Sequence, residues 1–122
     1  MKVLLSIKPE YADKIFDGSK KYEFRRTVFK DPSVSTVIVY ASSPVQKVIG
    51  EFEIELIIND QLESLWEKTK EFAGVSRKFF FEYFSNKENG YAIKIKKTKK
   101  YKKELCLKED FNKKPPQSFM YI

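Results

Sequence analysis

The sequence predicts a mixed α+β domain built around a small, mainly antiparallel β-barrel of about six strands, with two or three flanking helices. Three observations carry this expectation. Short β-branched or alternating segments recur between glycine and proline turns, and helical spacing interrupts them at only a few places. Several strands are joined by turns too short for a parallel crossover, which needs a dozen or more residues. With 122 residues and no internal repeat or linker, the chain reads as one domain over residues 1–122, large enough for one core.

Val3 to Ile7 reads as a short buried strand closed by Lys8 and Pro9. Proline suits the first turn of a helix, where its missing N–H would be an orphan in any case. Tyr11, Ala12, Ile15 and Phe16 then recur at helical spacing, and Gly18 supplies the stop. A second strand follows from Lys20 to Arg26. The turn DPS at residues 31–33 leads into the β-branched strand STVIVYAS, which runs to the turn SSP at 42–44. After Gly50, EFEIELII alternates acidic and apolar residues so strictly that one face must be core and the other wet.

DQLESLWEKTKEFAG, capped by Asp60, is a helix with Leu62, Leu65, Trp66 and Phe72 as its apolar positions, and SRKFFFEYF, capped by Ser76, is another. Trp66, Phe72 and the aromatic run FFFEYF are expected to pack in the core or between helices. In YAIKIKK, Tyr91, Ile93 and Ile95 share one face and Ala92, Lys94 and Lys96 the other. The strand then leaves the core as a lysine-rich arm of a long hairpin. The prolines of KKPPQSFMYI exclude a helix, and its last apolar residues suggest a docked terminal strand.

A net charge of +7 favours polyanionic partners through long-range attraction. The single cysteine, Cys106, cannot form an intramolecular disulfide and is expected to act as a small buried hydrophobe. No apolar run near the N-terminus is long enough for a signal peptide or a membrane span, so a cytoplasmic protein with no membrane partner is expected. Histidine is absent, which removes the commonest general base and the commonest zinc ligand and makes a Ser-His-Asp triad impossible. Neither a metal nor a cofactor is expected.

The stretch DGSKKYEFRR, residues 17–26, sets one glutamate among four cations. In an extended strand Tyr22, Phe24 and Arg26 share one face, and Lys21, Glu23 and Arg25 the other. Glu23 and Arg25 are either a surface ion pair worth about 0–1 kcal/mol, or an acid and a base held together to meet a polar ligand. Lys20 sits at the turn, where parity does not fix its direction. The lysine run from 94 to 103 is either a solvated face or a strip on which Lys96, Lys97, Lys99 and Lys100 meet phosphates while Tyr101 stacks a base. Ser42 and Ser43 are simple turn formers that can also donate hydrogen bonds.

Together, LLSIKPEYADKIFDGSKKYEFRR, VIVYASSPVQKVIGEFEI and the terminal PPQSFMYI resemble the ASCH domain, a member of the PUA-like superfamily. The resemblance covers nearly the whole chain, and Gly18, Lys20, Glu23 and Arg25 are its most specific part. It implies a six-stranded barrel with flanking helices and a cleft between barrel and helix beside that motif, near the Ser42–Ser43 loop. ASCH domains are regarded as RNA-binding modules linked to translation or transcriptional coactivation. Some relatives remove the acyl group from N4-acetylcytidine, and others have ribonuclease activity.

Lys20 matches the lysine that the amidohydrolase group uses in catalysis, whereas Glu23 occupies the position of that group's catalytic threonine. The group's carboxylate would have to come from Glu67 or Glu71. A lysine acts as base or nucleophile only where burial or a nearby cation lowers its pKa from about 10.4 towards 7, and Glu23 pushes the other way. The resemblance therefore implies first a module binding RNA, single-stranded nucleic acid or a modified nucleotide. Lys8, Lys20, Glu23, Arg25 and Arg26 would line its cleft, completed by Ser42 and Ser43. The alternative is a small hydrolase acting on modified cytidine, or a ribonuclease; a third is a protein-interaction module whose basic strand meets an acidic partner.

Overall fold

Two long strands, of 15 and 17 residues, form the spine of the molecule, and everything else is arranged along them. The computed structural model of the chain describes residues 1–122. In order, the elements are β1 (Lys2–Ile7), α1 (Pro9–Asp17), β2 (Tyr22–Arg25), β3 (Thr36–Ala41) and β4 (Lys47–Gln61). They continue with α2 (Leu62–Thr69), a single 3-10 turn (Lys70–Phe72), α3 (Arg77–Tyr83), β5 (Asn89–Leu105), α4 (Leu107–Phe111) and β6 (Phe119–Tyr121). The six strands make one sheet in the order β2-β5-β4-β3-β1-β6. All neighbours are antiparallel except β1 and β3, which run parallel with Val3 beside Val37 and Leu5 beside Val39.

Register shifts interrupt β3–β4 at Val39/Tyr40 and β4–β5 at Val48/Gly50, Glu53/Ile54 and Ile54/Leu56. Each such irregularity bends a strand and increases its twist, so the sheet curls into a half-barrel. Its two edge strands, β2 and β6, are not paired to each other. Inside the curl, Val3, Leu5 and Ile7 meet Val37, Val39, Phe52 and Ile93, and Ala12 and Ile15 of α1 plug the space between. Gly50 permits this approach, because a Cβ there would lie 2.6 Å from the ring of Phe16.

The outer face is covered as well. Leu4, Ile38, Tyr40 and Val48 pack with Leu107 of α4, while Phe24 and Ala92 pack under Leu65 and Trp66 of α2, Phe80 of α3 and Phe84 at the C-cap of α3. Coverage on both sides explains why VIVYA reads as a continuous apolar run. Beyond Ile95, β5 has no neighbour on its β2 side, since β2 pairs only with Tyr91–Lys94. Lysines along such an open edge discourage pairing with another chain.

Several elements differ from the sequence reading in instructive ways. Regular pairing in β2 starts at Tyr22, because the Lys20 N–H closes the end of α1 by donating to the Lys14 carbonyl at 3.0 Å. Asp60 is not the cap expected of it: it is the penultimate residue of β4, Gln61 stands at the N-cap of α2 with no side-chain capping bond, and the Asp60 carboxylate accepts instead from the Gln61 N–H at 2.8 Å and the Ser64 hydroxyl at 2.7 Å. The long helix expected from residue 60 ends at Thr69 and tightens into the 3-10 turn before Gly74. Ser76 caps α3 as expected, its hydroxyl oxygen accepting from the Phe79 N–H at 3.1 Å. β4 and β5 are hairpin arms, but α2 and α3 fill the connection between them. A fourth helix, α4, has only five residues. No helix is long and apolar enough to cross a membrane.

Candidate functional site

The seam of the half-barrel, where β2 and β6 fail to pair, is where the charged motif lies. Glu23 pairs in register with Ile93, an inner-core residue, so Glu23 and Arg25 point inward while Phe24 points to the helices outside. The Arg25 guanidinium spans the seam. Its Nη1 donates to Glu23 Oε2 at 3.2 Å and towards the Ser6 carbonyl at 3.4 Å, and its Nη2 donates to the carbonyl and hydroxyl oxygens of Ser118 at 3.0 and 2.9 Å. An ion pair, one of the two readings the sequence allows, is therefore present, but it is buried rather than at the surface, with the two side chains 10% and 9% exposed.

Lys20 is 2% exposed, which is unusual for a lysine. Its stem runs beneath Gly74, where φ is +69° and a Cβ would meet Lys20 Cβ and Cγ at 2.6 Å. Nζ donates to the Ala73 carbonyl at 2.7 Å and lies 4.7 Å from the centroid of the Phe24 ring and 5.6 Å from that of Tyr11. Lys14 donates to the next carbonyl, Gly74, at 3.1 Å. Burial drives the Lys20 pKa down to about 8; Glu23 opposes the shift and Lys14 adds to it. Burial thus outweighs the neighbouring carboxylate.

A cleft of about 360 Å³ opens over these groups. One wall is the end of β1 (Ser6, Ile7, Lys8) with Glu23, Phe24 and Arg25 of β2; Lys20 also lines it, and Gln117 belongs to the segment leading into β6. The other wall is aromatic, formed by Tyr11 of α1 and by Phe79 and Tyr83 of α3, with Val75 between. The Phe79 and Tyr83 rings are nearly parallel, 9° apart with centroids at 6.2 Å, and Tyr11 packs against Phe79 at 5.4 Å. Lys8 Nζ lies 6.0 Å from the Phe79 centroid. Burial raises the pKa of both tyrosines above the ordinary value, so both stay protonated donors at neutral pH.

Of the residues singled out from the sequence, Lys8, Lys20, Glu23 and Arg25 come together in the cleft. Arg26 is exposed and lies outside it, donating to the Tyr83 carbonyl at 3.1 Å and bracing the end of α3. Ser42 and Ser43 lie between β3 and β4; the Ser42 N–H donates to the Ile7 carbonyl at 2.9 Å, but neither serine lines the cleft. Glu67 is paired with Lys70 at 2.8 Å on the exposed side of α2, and Glu71 is exposed on the 3-10 turn; neither reaches the cleft.

Lys96, Lys97, Lys99 and Lys100 lie along the distal half of β5 and also do not line the cleft. Lys97 and Lys99 stand directly across from Glu53 and Glu51 in the ladder, and Lys94 pairs with Glu55 at 2.9 Å. Tyr101 donates its hydroxyl to Glu51 at 2.8 Å.

Tyr11, Phe79, Tyr83, Ser6, Gln117 and Ser118 were not singled out from the sequence as site residues. A signal for two of them was present. FFFEYF carries two stripes at i,i+4 spacing, Phe80 with Phe84 and Phe79 with Tyr83, and one helix face cannot bury both. Phe80 and Phe84 are the buried pair; Phe79 and Tyr83 are half-buried at the cleft.

The model of the ASCH domain matches residues 5–113. The chain belongs to the ASCH domain family. In Ureaplasma parvum it is similar to ATP synthase subunit alpha, at 34% identity over 98% of this chain and 15% of that protein. In the same organism it is similar to large ribosomal subunit protein uL22, at 30% identity over 98% of this chain and 39% of that protein. The chain thus spans well under half the length of either relative. It is also 30% identical to an ASCH domain-containing ribonuclease of Zymomonas mobilis, over 76% of this chain and 63% of that protein. The crystal structure of ASCH from Zymomonas mobilis superposes with a TM-score of 0.90 at 30% identity, covering 99% of this chain and 87% of that one. The curled six-stranded sheet with its helices is therefore an ASCH fold.

Proposed function

We propose that this ASCH domain binds single-stranded RNA in the seam cleft and cleaves it, with Lys20 as general base. The observation that carries the reading is the Lys20 amine, buried in the cleft wall with its pKa lowered to about 8. A base poised near the working pH combines a useful neutral fraction with real basicity. The neutral amine can still donate to the Ala73 carbonyl, which orients its lone pair. The similarity to a protein named as a ribonuclease, and a net charge of +7, support RNA as the substrate.

The step balances as a transphosphorylation. Lys20 takes the proton of a ribose 2′-hydroxyl, O2′ bonds to phosphorus, and the P–O5′ bond breaks. A tyrosine hydroxyl, Tyr11 or Tyr83, gives its proton to O5′, leaving a 2′,3′-cyclic phosphate and a 5′-hydroxyl. The positive charge of Lys8, which lines the same cleft, would face the charge that builds on the phosphoryl oxygens. Deacylation of N4-acylated cytidine is the weaker reading, because Glu23 stands where a hydroxyl is needed and Glu67 and Glu71 lie outside the cleft.

Lys20→Arg decides the matter. A guanidinium keeps the charge but stays protonated, so RNA affinity should hold within a few fold while release of cyclic-phosphate ends is lost. Binding without any cleavage by the parent chain would reduce the domain to a binding module, the reading the sequence placed first.

A further inference from the structure

Glu23 spends only one of its two carboxylate oxygens inside the protein. Oε2 accepts from Arg25, whereas Oε1 has no protein partner although the side chain is only 9% exposed. No buried side-chain polar atom is left without a partner, so Oε1 is open to the cleft that Glu23 lines. In that same cleft, the stacked rings of Phe79 and Tyr83 offer an aromatic surface, and Lys8 carries an ammonium with no carboxylate partner. A planar ligand packed on that surface and turned edge-on to Glu23 meets an acceptor-only group beside a positive region.

That pattern discriminates among the RNA bases. Guanine alone presents two adjacent donors, N1–H and the 2-amino group, and next to them an acceptor, O6. Adenine and cytosine place a ring-nitrogen lone pair beside their amino group, and a carboxylate repels it. Uracil flanks its single N–H with two carbonyl oxygens, which a carboxylate also repels. An ionised carboxylate accepts and never donates, and single-stranded bases are read on their Watson–Crick edge while stacked on aromatic rings.

We propose that the cleft is a guanine-selective seat, in which the base packs on the Phe79–Tyr83 aromatic pair and donates N1–H and its 2-amino group to Glu23, one to the open Oε1 and the other to the second lone pair of Oε2 beside Arg25, with O6 turned to the positive side. This rests on the reading of the cleft as an RNA site and names the base it takes. Glu23 is then a specificity residue rather than a catalytic one, and cleavage should fall beside guanosine.

The test is equilibrium binding of the four nucleoside 3′-monophosphates to the full chain by calorimetry. The guanosine nucleotide should bind about tenfold more tightly than the other three, the discrimination expected of one good bidentate pair. Inosine 3′-monophosphate, lacking the 2-amino group, and 1-methylguanosine 3′-monophosphate, lacking N1–H, should each lose most of that advantage on the unmodified protein. These two ligands keep the test independent of whether a variant folds. Glu23→Gln should erase the preference, whereas Phe79→Ala should weaken all four nucleotides alike. Equal binding of the four, undiminished binding of the inosine nucleotide, or a preference that survives Glu23→Gln overturns the proposal. Lys20-dependent cleavage of RNA at all bases alike would sink this inference alone; loss of both nucleotide and RNA binding would sink the RNA reading with it.

Discussion

Arg25, on one edge strand of the curled sheet, holds Ser118, just ahead of the other edge strand, through two hydrogen bonds from a single nitrogen, at 3.0 and 2.9 Å. No backbone ladder joins the two edges. One guanidinium does this while also neutralising Glu23 and taking up the Ser6 carbonyl, so closure of the seam and the charge state of the cleft depend on the same side chain.

Removing that side chain should therefore be costly. Arg25→Ala leaves a buried carboxylate unpaired and should destabilise the fold by about 3–5 kcal/mol, read as a lower urea midpoint. Ser118→Ala keeps the bond to the Ser118 carbonyl and should cost only about 1 kcal/mol. Equal losses from the two variants would contradict the weight placed on the ion pair.

Gly74→Ala should act on Lys20 rather than only on stability. The new Cβ would sit 2.6 Å from Lys20 Cβ and Cγ on a residue with φ of +69°, so strain of about 1–3 kcal/mol is expected. Displacing the stem re-exposes the amine, and the pH midpoint of RNA cleavage should move above the parent's. A variant with an unchanged midpoint would show that Gly74 does not set the environment of Lys20.

The depressed pKa of Lys20 also makes a stability prediction with a definite sign. Below pH 8 folded and unfolded chains both carry the proton, and the folded state bears the full burial penalty. Between about 8 and the ordinary value of 10.5 the unfolded chain holds the proton more tightly, so this group's contribution to stability rises with pH. The change is at most about 3 kcal/mol. Lys20→Met has no such penalty, so its stability relative to the parent should be highest at pH 7 and fall towards pH 10. A pH-independent difference in urea titrations would remove the basis for a buried, weakly basic amine.

The lysines of β5 should contribute less than their number suggests. Lys97 and Lys99 face Glu53 and Glu51 across the ladder, whereas Lys100 faces Gly50 and Lys96 falls at a register shift. If all four met phosphates, changing them to Gln would flatten the log–log salt dependence of single-stranded RNA binding by about 2.8. With two set opposite carboxylates whose negative charge offsets theirs, a change of no more than about 1.4 is expected. A loss approaching the larger figure would make the strip a principal RNA contact.

The part of the site that the sequence exposes is the local part. Gly18, Lys20, Glu23 and Arg25 lie within eight residues, where a turn and strand alternation fix directions. The aromatic wall is not local: Phe79 and Tyr83 reach the cleft because Ala73 and Gly74 fold over Lys20, an encounter between residues more than fifty apart. The lysine run is visible as composition, but the glutamates that stand opposite it appear only once the β4–β5 register is known. In the same way the docked terminal strand was legible from its prolines and apolar end, whereas the parallel pairing of β1 with β3 was not, because strand order leaves no mark on either segment.

The pairing of β1 with β6 has a consequence for how such a unit can be grafted. Val3 lies opposite Tyr121, and the Ile122 N–H donates to the Lys2 carbonyl at 3.0 Å, so the chain enters and leaves at neighbouring points about one strand spacing apart. A host protein could splice these residues into a surface turn with little separation forced on the two sides of the cut. The half-barrel would hang from its host by two adjacent stems, and the cleft, which lies past the opposite end of β1, would face away from the attachment.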